Sequence, residues 1–297
     1  MSTLEVSPAR PDQAAEALRL IFGPHLNAAY AQTLAGESTP ATELICATRA
    51  GAVVGAACVQ IQPGGAAAVY PPALVAGEPA ATADALLAAA IDRARCRGAT
   101  FAQALLETDA GPLAESFERF GFRRLTELLY LVSEADTFPV SQPKCEIALV
   151  PYTDADRGRL ASIVELTYEQ TLDCPELNGR RRAADVLAGY AATGAARTDH
   201  WYLLARGDID VGCLLLADHP SDNQWELVYV GLVPAVRGRG WGLQATRHAQ
   251  WLTRNAGRRR LVLAVDGANS PAIAIYVECG FRAWDRRSVF VKDLSRP

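Results

Sequence analysis

Several common signatures are missing from this chain, and each absence removes a class of function. Its seven cysteines form no C-x-x-C pair, and His25, His200, His219 and His248 lie far apart, so no metal-ligand spacing is present and no metal is expected. It has no Gly-Lys-Ser/Thr sequence, which excludes a P-loop. The net charge of −4 supplies no electrostatic hold on nucleic acid. Apolar runs such as 80–90 are too short and too interrupted to span a bilayer, so no membrane partner is expected. An odd number of scattered cysteines and no apolar leader segment fit a reducing, cytoplasmic setting. A single Met beside abundant Ala and Arg fits a GC-rich bacterial genome. What is abundant is apolar sequence: half of the 297 residues are hydrophobic, enough for two domains of ordinary size.

The most informative stretch runs from Val233 to Gly242. An apolar run, Leu227 to Val233, reads as a buried strand, and Leu243 to Ala256 reads as a helix. Between them Gly238, Gly240 and Gly242 alternate at the helix start. Glycine accepts positive φ and lets a ligand approach the backbone. The first N–H groups of a helix lack partners and attract anions. With Arg237 and Arg239 adjacent, the expected ligand is a phosphate or pyrophosphate. A dinucleotide fingerprint would need its third glycine one residue later. Asp266, 24 residues after Gly242, keeps that reading open, although only one βαβ unit follows.

The pattern R-x-x-G-x-G at Arg237, Gly240 and Gly242 resembles the acetyl-CoA loop of the GNAT acetyltransferase family. Downstream, the strand Leu261–Val265 enters a turn holding Asp266 and Asn269. A short helix, Ala272 to Cys279, carries Tyr276 and closes on Gly280-Phe281. Asn269, Tyr276 and Gly280-Phe281 match the family's CoA-arm asparagine, helix tyrosine and closing Gly-Phe pair. The resemblance covers about 225–290 of this sequence.

The two halves read as copies. Gly121-Phe122 and Gly280-Phe281 are 159 residues apart, and that offset also places Val69-Tyr70 on Val228-Tyr229 and Gly98 on Gly257. Upstream, the hairpin at Gly51–Gly55 matches Asp208–Gly212. Each half reads as strand, two helices, hairpin, strand, helix, strand, helix, strand. The resemblance therefore implies an α/β fold of two tandem GNAT-like domains, each a mixed, mostly antiparallel sheet flanked by helices. The expected domains are 1–135 and 144–297, with a Ser/Pro-rich linker near Ser133 to Pro143. At the same offset Arg237 becomes Glu78, Gly240 becomes Ala81, Gly242 becomes Ala83, Asn269 becomes Ala110, Tyr276 becomes Phe117 and Glu226 becomes Ala67. The N-terminal half is expected to keep the fold without the CoA loop.

In the C-terminal half the resemblance implies an N-acyltransferase with acetyl-CoA as acyl donor, attacked directly by an amine. A splayed strand at Gly231, Leu232 and Val233 would offer backbone amides to the thioester. Gly238, Arg239, Trp241 and Leu243 belong to the phosphate loop and helix start. Trp241 is open to two readings, covering the phosphates or packing the helix. Tyr276 is the expected general acid, since a phenol with pKa about 10 suits a leaving thiolate. Glu226 is read as a general base or as a strand-end charge. Strand alternation puts it on one face with Val228, Val230 and Leu232. Cys279 reads as a core cysteine, Asp266 as a brace for its turn, and Arg258-Arg259-Arg260 as a solvated turn or a contact for the nucleotide phosphate. The segment Tyr168 to Gly179 connects the first two helices, where the family usually recognises its acceptor. Its Tyr168, Asp173 and Glu176 read as a site for a cationic small-molecule or peptide amine, or as a polar helix–helix loop. A chain keeping the glycine loop but using neither Tyr276 nor Glu226 would instead be a non-catalytic acyl-CoA sensor.

Overall fold

A computed structural model describes residues 2–23, 42–179, 182–195 and 197–295. The chain forms two compact units, one of Met1–Leu125 with Ser288–Pro297 and one of Thr126–Arg287. This corrects the expected division at 135/144. A Pro-rich stretch marks where the backbone is irregular, but core burial decides which unit a strand joins. Leu131 is buried with the second unit's core and Phe290 with the first's.

The first unit contains β1 (Leu4–Pro8), α1 (Ala14–Phe22), β2 (Thr42–Arg49), β3 (Ala52–Gln62), β4 (Ala66–Leu74), α2 (Ala80–Cys96), β5 (Phe101–Glu107) and α3 (Gly111–Arg119). The second helix expected in this half falls at 24–41, outside the described residues. Sheet order is β1-β2-β3-β4-β5, antiparallel except for β4–β5. Helix α2 buries Leu86, Leu87, Ala90, Ile91 and Ala94, a helical repeat that gives it one apolar face.

Strand β6 (Arg123–Glu134) passes almost wholly into the second unit. There follow β7 (Ala148–Pro151), α4 (Arg157–Tyr168), α5 (Ala183–Ala191), β8 (Trp201–Arg206), β9 (Ile209–His219), β10 (Gln224–Leu232), α6 (Trp241–Asn255), β11 (Arg260–Asp266) and α7 (Ser270–Glu278). β12 (Arg282–Asp293) begins in this unit and ends in the first. The second unit's sheet runs β6-β11-β10-β9-β8-β7, with β10–β11 as its parallel pair. Helices α6 and α7 bury Trp241, Ala245, Ala249 and Tyr276 against one face, beside Leu261, Leu263 and Val265. Helix α4 buries Leu160, Ile163 and Val164 against Leu203, Cys213 and Leu215. Because Leu203 and Leu204 alternate, as do Leu214 and Leu215, α4 covers the opposite face.

The same irregularity appears in both units. β10 pairs with β11 only at Gln224–Glu226, and β4 with β5 only at Ala66–Ala68. Beyond those three residues the parallel strands part. Each unit also has a β-bulge, but at different points: between Leu227 and Tyr229 in β10, and between Tyr70 and Ala73 in β4. The gapless 159-residue offset therefore slips by one in these strands. Glu226 pairs with Val262 as Ala68 pairs with Gln103, so its counterpart is Ala68 and not Ala67.

Candidate active site

The parting of β10 and β11 opens a cavity of about 440 Å³ in the second unit. Leu232, Arg237, Gly238, Gly240, Trp241, Gly242, Asn269, Tyr276 and Asp173 all line it, so most of the residues expected to act together do converge. Gly231, Val233, Arg239, Leu243, Tyr168, Glu176 and Glu226 do not line it.

The helix start is built for an anion. Gly240 is the N-cap of α6, with φ +77° and no side-chain cap. The first helical bond runs from Gln244 N–H to Gly240 O at 3.2 Å, so the N–H groups of Trp241, Gly242 and Leu243 precede the hydrogen-bonded ladder. Gly238, φ +79°, holds the other left-handed position. Gly242 lines the cavity and also permits close packing of the two helices. A Cβ there would lie 3.1 Å from Ile275 on α7.

Arg237 is not a free phosphate ligand. Its guanidinium donates to Leu232 O at 3.0 Å, Gln170 O at 3.0 Å and Thr167 O at 2.8 Å, tying the strand end to the C-terminus of α4. Arg239 lies with Arg206 over the Trp241 ring, at 5.5 and 5.1 Å. Trp241 is only 2% exposed and packs in the core while also lining the cavity. Leu243 packs partly buried in the same core and contributes its backbone N–H.

The thioester amides also need correction. Val233 N–H donates to Val211 O at 3.0 Å, and Gly231 pairs with Cys213, so both face β9. In an antiparallel ladder the intervening residues face the other way. Leu232 and Val230 thus turn their N–H groups toward the gap. The bulge also breaks the expected alternation. Trp225 and Leu227 share a core with Val230 and Leu232, which leaves Glu226 on the other face.

Tyr276, 7% exposed, lines the cavity from α7, and burial raises its pKa well above the ordinary tyrosine value. Asn269 caps α7, its Oδ1 accepting from Ala272 N–H at 3.3 Å while the residue lines the cavity. Cys279 is buried, and desolvation lifts its thiol to about 11, which suits a core cysteine.

The acceptor segment is a clamp. Asp173 accepts from Asp266 N–H at 3.1 Å, and Asp266 accepts from Cys174 N–H at 3.0 Å. Asp266 also accepts from Thr126 at 2.7 Å and from Ala268 N–H at 2.9 Å, so it braces its own turn and the segment together. Desolvation, with the neighbouring Asp266 charge, raises the Asp173 carboxyl. Gln170 and Cys174 have φ of 53° and 44°, backbone strain held beside the cavity. Tyr168 instead joins Tyr190 and Tyr229: its hydroxyl lies 3.3 Å from that of Tyr190 and its ring stands edge-on to Tyr229. Glu176 is exposed on the short helix Pro175–Leu177. Of the three expected acceptor residues, Asp173 lines the cavity, Tyr168 packs on its lining residue Tyr229, and Glu176 is exposed.

Glu226 lines a second groove, of about 490 Å³, on the opposite face of the sheet with Tyr130, Arg260, Ala264, Arg282 and Trp284. Ala264 borders both cavities. Glu226 Oε2 lies 2.9 Å from His219 Nε2, a partner the sequence reading did not connect to it. Arg258 pairs with Asp218 at 2.7 Å and Arg260 donates to Asp222 O; the basic turn is at the far end of α6 from the glycine loop and does not line its cavity. Among the described residues there is no group of three or more His, Cys, Asp or Glu placed to hold a metal, and no helix long and apolar enough to cross a membrane.

In the first unit the equivalent features are altered. Helix α2 starts at Ala80, so the positions matching Arg239 and Gly240 are already wound into helix. The Glu78 carboxylate accepts from Thr82 Oγ1 at 2.6 Å and Arg49 Nε at 2.9 Å, beside that first turn. Where β10 has Val230 between Tyr229 and Gly231, β4 has Pro71-Pro72 between Tyr70 and Ala73. Neither proline has an N–H. The sequence carried this signal, but it emerges only once the bulges are aligned.

The GNAT family acetyltransferase model matches residues 164–281. A mycothiol acetyltransferase of Corynebacterium efficiens is 36% identical over 102 residues, 34% of each chain. One from Corynebacterium glutamicum is 33% identical over 103 residues, 33% of this chain and 35% of the relative. The match thus spans about a third of those relatives' length. In fold, a GCN5-related N-acetyltransferase from Sphaerobacter thermophilus aligns with TM-score 0.74 at 17% identity, covering 99% of this chain and 96% of that one. A tandem GNAT protein from the clavulanic acid biosynthesis pathway aligns with TM-score 0.59 at 16% identity, covering 99% and 100%. Residues 164–281 thus match the GNAT acetyltransferase family in sequence, and the chain along nearly its whole length has the fold of solved GNAT proteins.

Proposed function

We propose that this chain is a tandem GNAT N-acetyltransferase, in which the second unit moves the acetyl group of acetyl-CoA to an amine by direct attack and the first unit binds no CoA. The observation that carries the reading is the uncapped glycine start of α6, opening into the gap between β10 and β11 with Tyr276 on its wall. The pyrophosphate rests on the N–H groups of the α6 start, with positive charge nearby on Arg237. The N–H groups of Val230 and Leu232 face the thioester carbonyl, where charge develops in the transition state. Tyr276, held protonated by burial, gives its proton to the leaving thiolate. The amine approaches through the groove on the other face, where Glu226 takes its proton. Acyl donor and acceptor then meet near Ala264, from opposite sides of the sheet.

The first unit's Pro71-Pro72, Glu78 and early α2 start support loss of CoA binding there. The test is calorimetry with acetyl-CoA, expected to give one site per chain, followed by thiol release across an amine panel. Because the corynebacterial relatives are mycothiol acetyltransferases, mycothiol-related amines head that panel. Two equivalent sites would refute the assignment to one unit. Binding without thiol release for any amine would favour an acyl-CoA sensor.

A further inference from the structure

Glu226 has two carboxylate oxygens and two surroundings. Oε2 meets His219 Nε2 at 2.9 Å, while the residue borders the groove with Trp284. His219 does not line that groove; it stands behind the carboxylate at the end of β9. Trp284, 60% exposed, and Tyr130, with ring centroids 5.9 Å apart, give the groove an aromatic side.

From this geometry we infer that His219 is a positioning residue for acetyl transfer: it donates Nε2–H to one Glu226 oxygen, aims the other at the acceptor nitrogen, and must be neutral for Glu226 to act as base. The inference rests on the transferase reading above. In the step itself, the proton on the acceptor nitrogen passes to the free Glu226 oxygen and the nitrogen lone pair forms the bond to the thioester carbon. Sulfur leaves with the C–S electron pair and is protonated by Tyr276. A neutral imidazole orients the carboxylate and leaves its basicity intact. An imidazolium would hold the carboxylate in an ion pair and weaken it as a base.

The groups facing His219 are acidic: Glu226 on β10, Asp222 on the short helix Pro220–Asp222, and Asp218 on β9. Asp218 is itself paired with Arg258, and the cations of the groove are Arg260 and Arg282, the latter paired with Glu134. Hydrogen bonding to Glu226 is the largest influence on His219 and raises its pKa above the ordinary 6.5. The charged form therefore persists to higher pH than in a free imidazole, and neutral His219 is lost as pH falls through that raised value. The first unit lacks both partners. The register that equates Glu226 with Ala68 places Gln62 where His219 stands.

The test uses full-length protein, acetyl-CoA, and O-benzylhydroxylamine as acceptor, whose weakly basic nitrogen stays neutral across the range, so that any acidic limb belongs to the protein. Thiol release is read from pH 5 to 8. Wild type should lose rate below a midpoint above 6.5, falling about tenfold per pH unit. His219→Gln keeps an N–H donor for Glu226 but cannot become charged. It should keep the wild-type plateau within a few-fold and stay active to lower pH. His219→Ala loses the donor and should drop at every pH by about tenfold or more, part of the range expected for a general base. A limb unchanged in His219→Gln, or a wild-type plateau in His219→Ala, overturns the inference. Independently of turnover, NMR titration should place the wild-type His219 pKa above 6.5 and return it toward 6.5 in Glu226→Gln; no difference between the two proteins also overturns it. Wild type that releases no thiol with either O-benzylhydroxylamine or benzylamine overturns the transferase reading, and this role of His219 with it.

Discussion

Cutting the chain at 144, where sequence composition suggests a domain start, should destroy the second unit instead of isolating it. The fragment 144–297 lacks β6, which pairs with β11 from Arg260↔Glu134 through Asp266↔Leu128. It also lacks three core contributors, Leu129, Leu131 and Phe138. At about 1.5–3 kcal/mol per buried side chain, these cost roughly 5–9 kcal/mol. Removing Thr126 takes a 2.7 Å hydrogen bond from the buried Asp266 carboxylate, about 1–3 kcal/mol more. The total, about 6–12 kcal/mol, equals the whole stability of an ordinary domain. The uncovered β11 edge, Leu-Val-Leu-Ala-Val, is also an aggregation template. Circular dichroism melts of fragments 144–297 and 126–287 test this. The first should show no cooperative transition, and the second should melt as a folded unit. Cooperative melting of 144–297 within a few degrees of 126–287 would refute the reasoning.

Tyr276→Phe should lower kcat by about 10²–10⁴-fold while leaving acetyl-CoA affinity within a few-fold, since the ring still packs; unchanged turnover with a good acceptor removes Tyr276 from the mechanism. Arg237→Lys should weaken acetyl-CoA binding nearly as much as Arg237→Ala, because one ammonium cannot replace three directed bonds to Leu232, Gln170 and Thr167. Calorimetry checks this, and full affinity in Arg237→Lys would show that charge alone matters.

The glycine loop, the helix carrying Tyr276 and the hairpins were legible because each depends on neighbours within a few residues. Helix α6 occupies Trp241–Asn255 where the sequence suggested Leu243 to Ala256, and β11 spans Arg260–Asp266 around the expected Leu261–Val265. What failed were properties set by distant partners. Arg237 reads from the sequence only as charge beside the glycines, because two of its three carbonyl partners, Thr167 and Gln170, lie 70 and 67 residues away, at and just after the end of α4. Glu226 shifts face because one inserted residue near Val228 reverses the alternation, and a bulge has no fixed residue signature. His219 and Glu226 are seven apart in sequence and become neighbours only through the β9–β10 hairpin. The acceptor segment carries no motif pointing to one amine.

The core of the first unit includes Phe290 and Leu294, close to the end of the chain. During synthesis the N-terminal half therefore waits, with its apolar interior incomplete, until more than 160 further residues have been made. At about 5–20 residues per second this takes roughly 8–30 s. The first unit therefore cannot be completed before the second, because its last interior pieces are encoded after Arg287. Frameshifts or stop codons near 290 should thus damage the fold of residues far upstream, even though the whole second unit has already been translated.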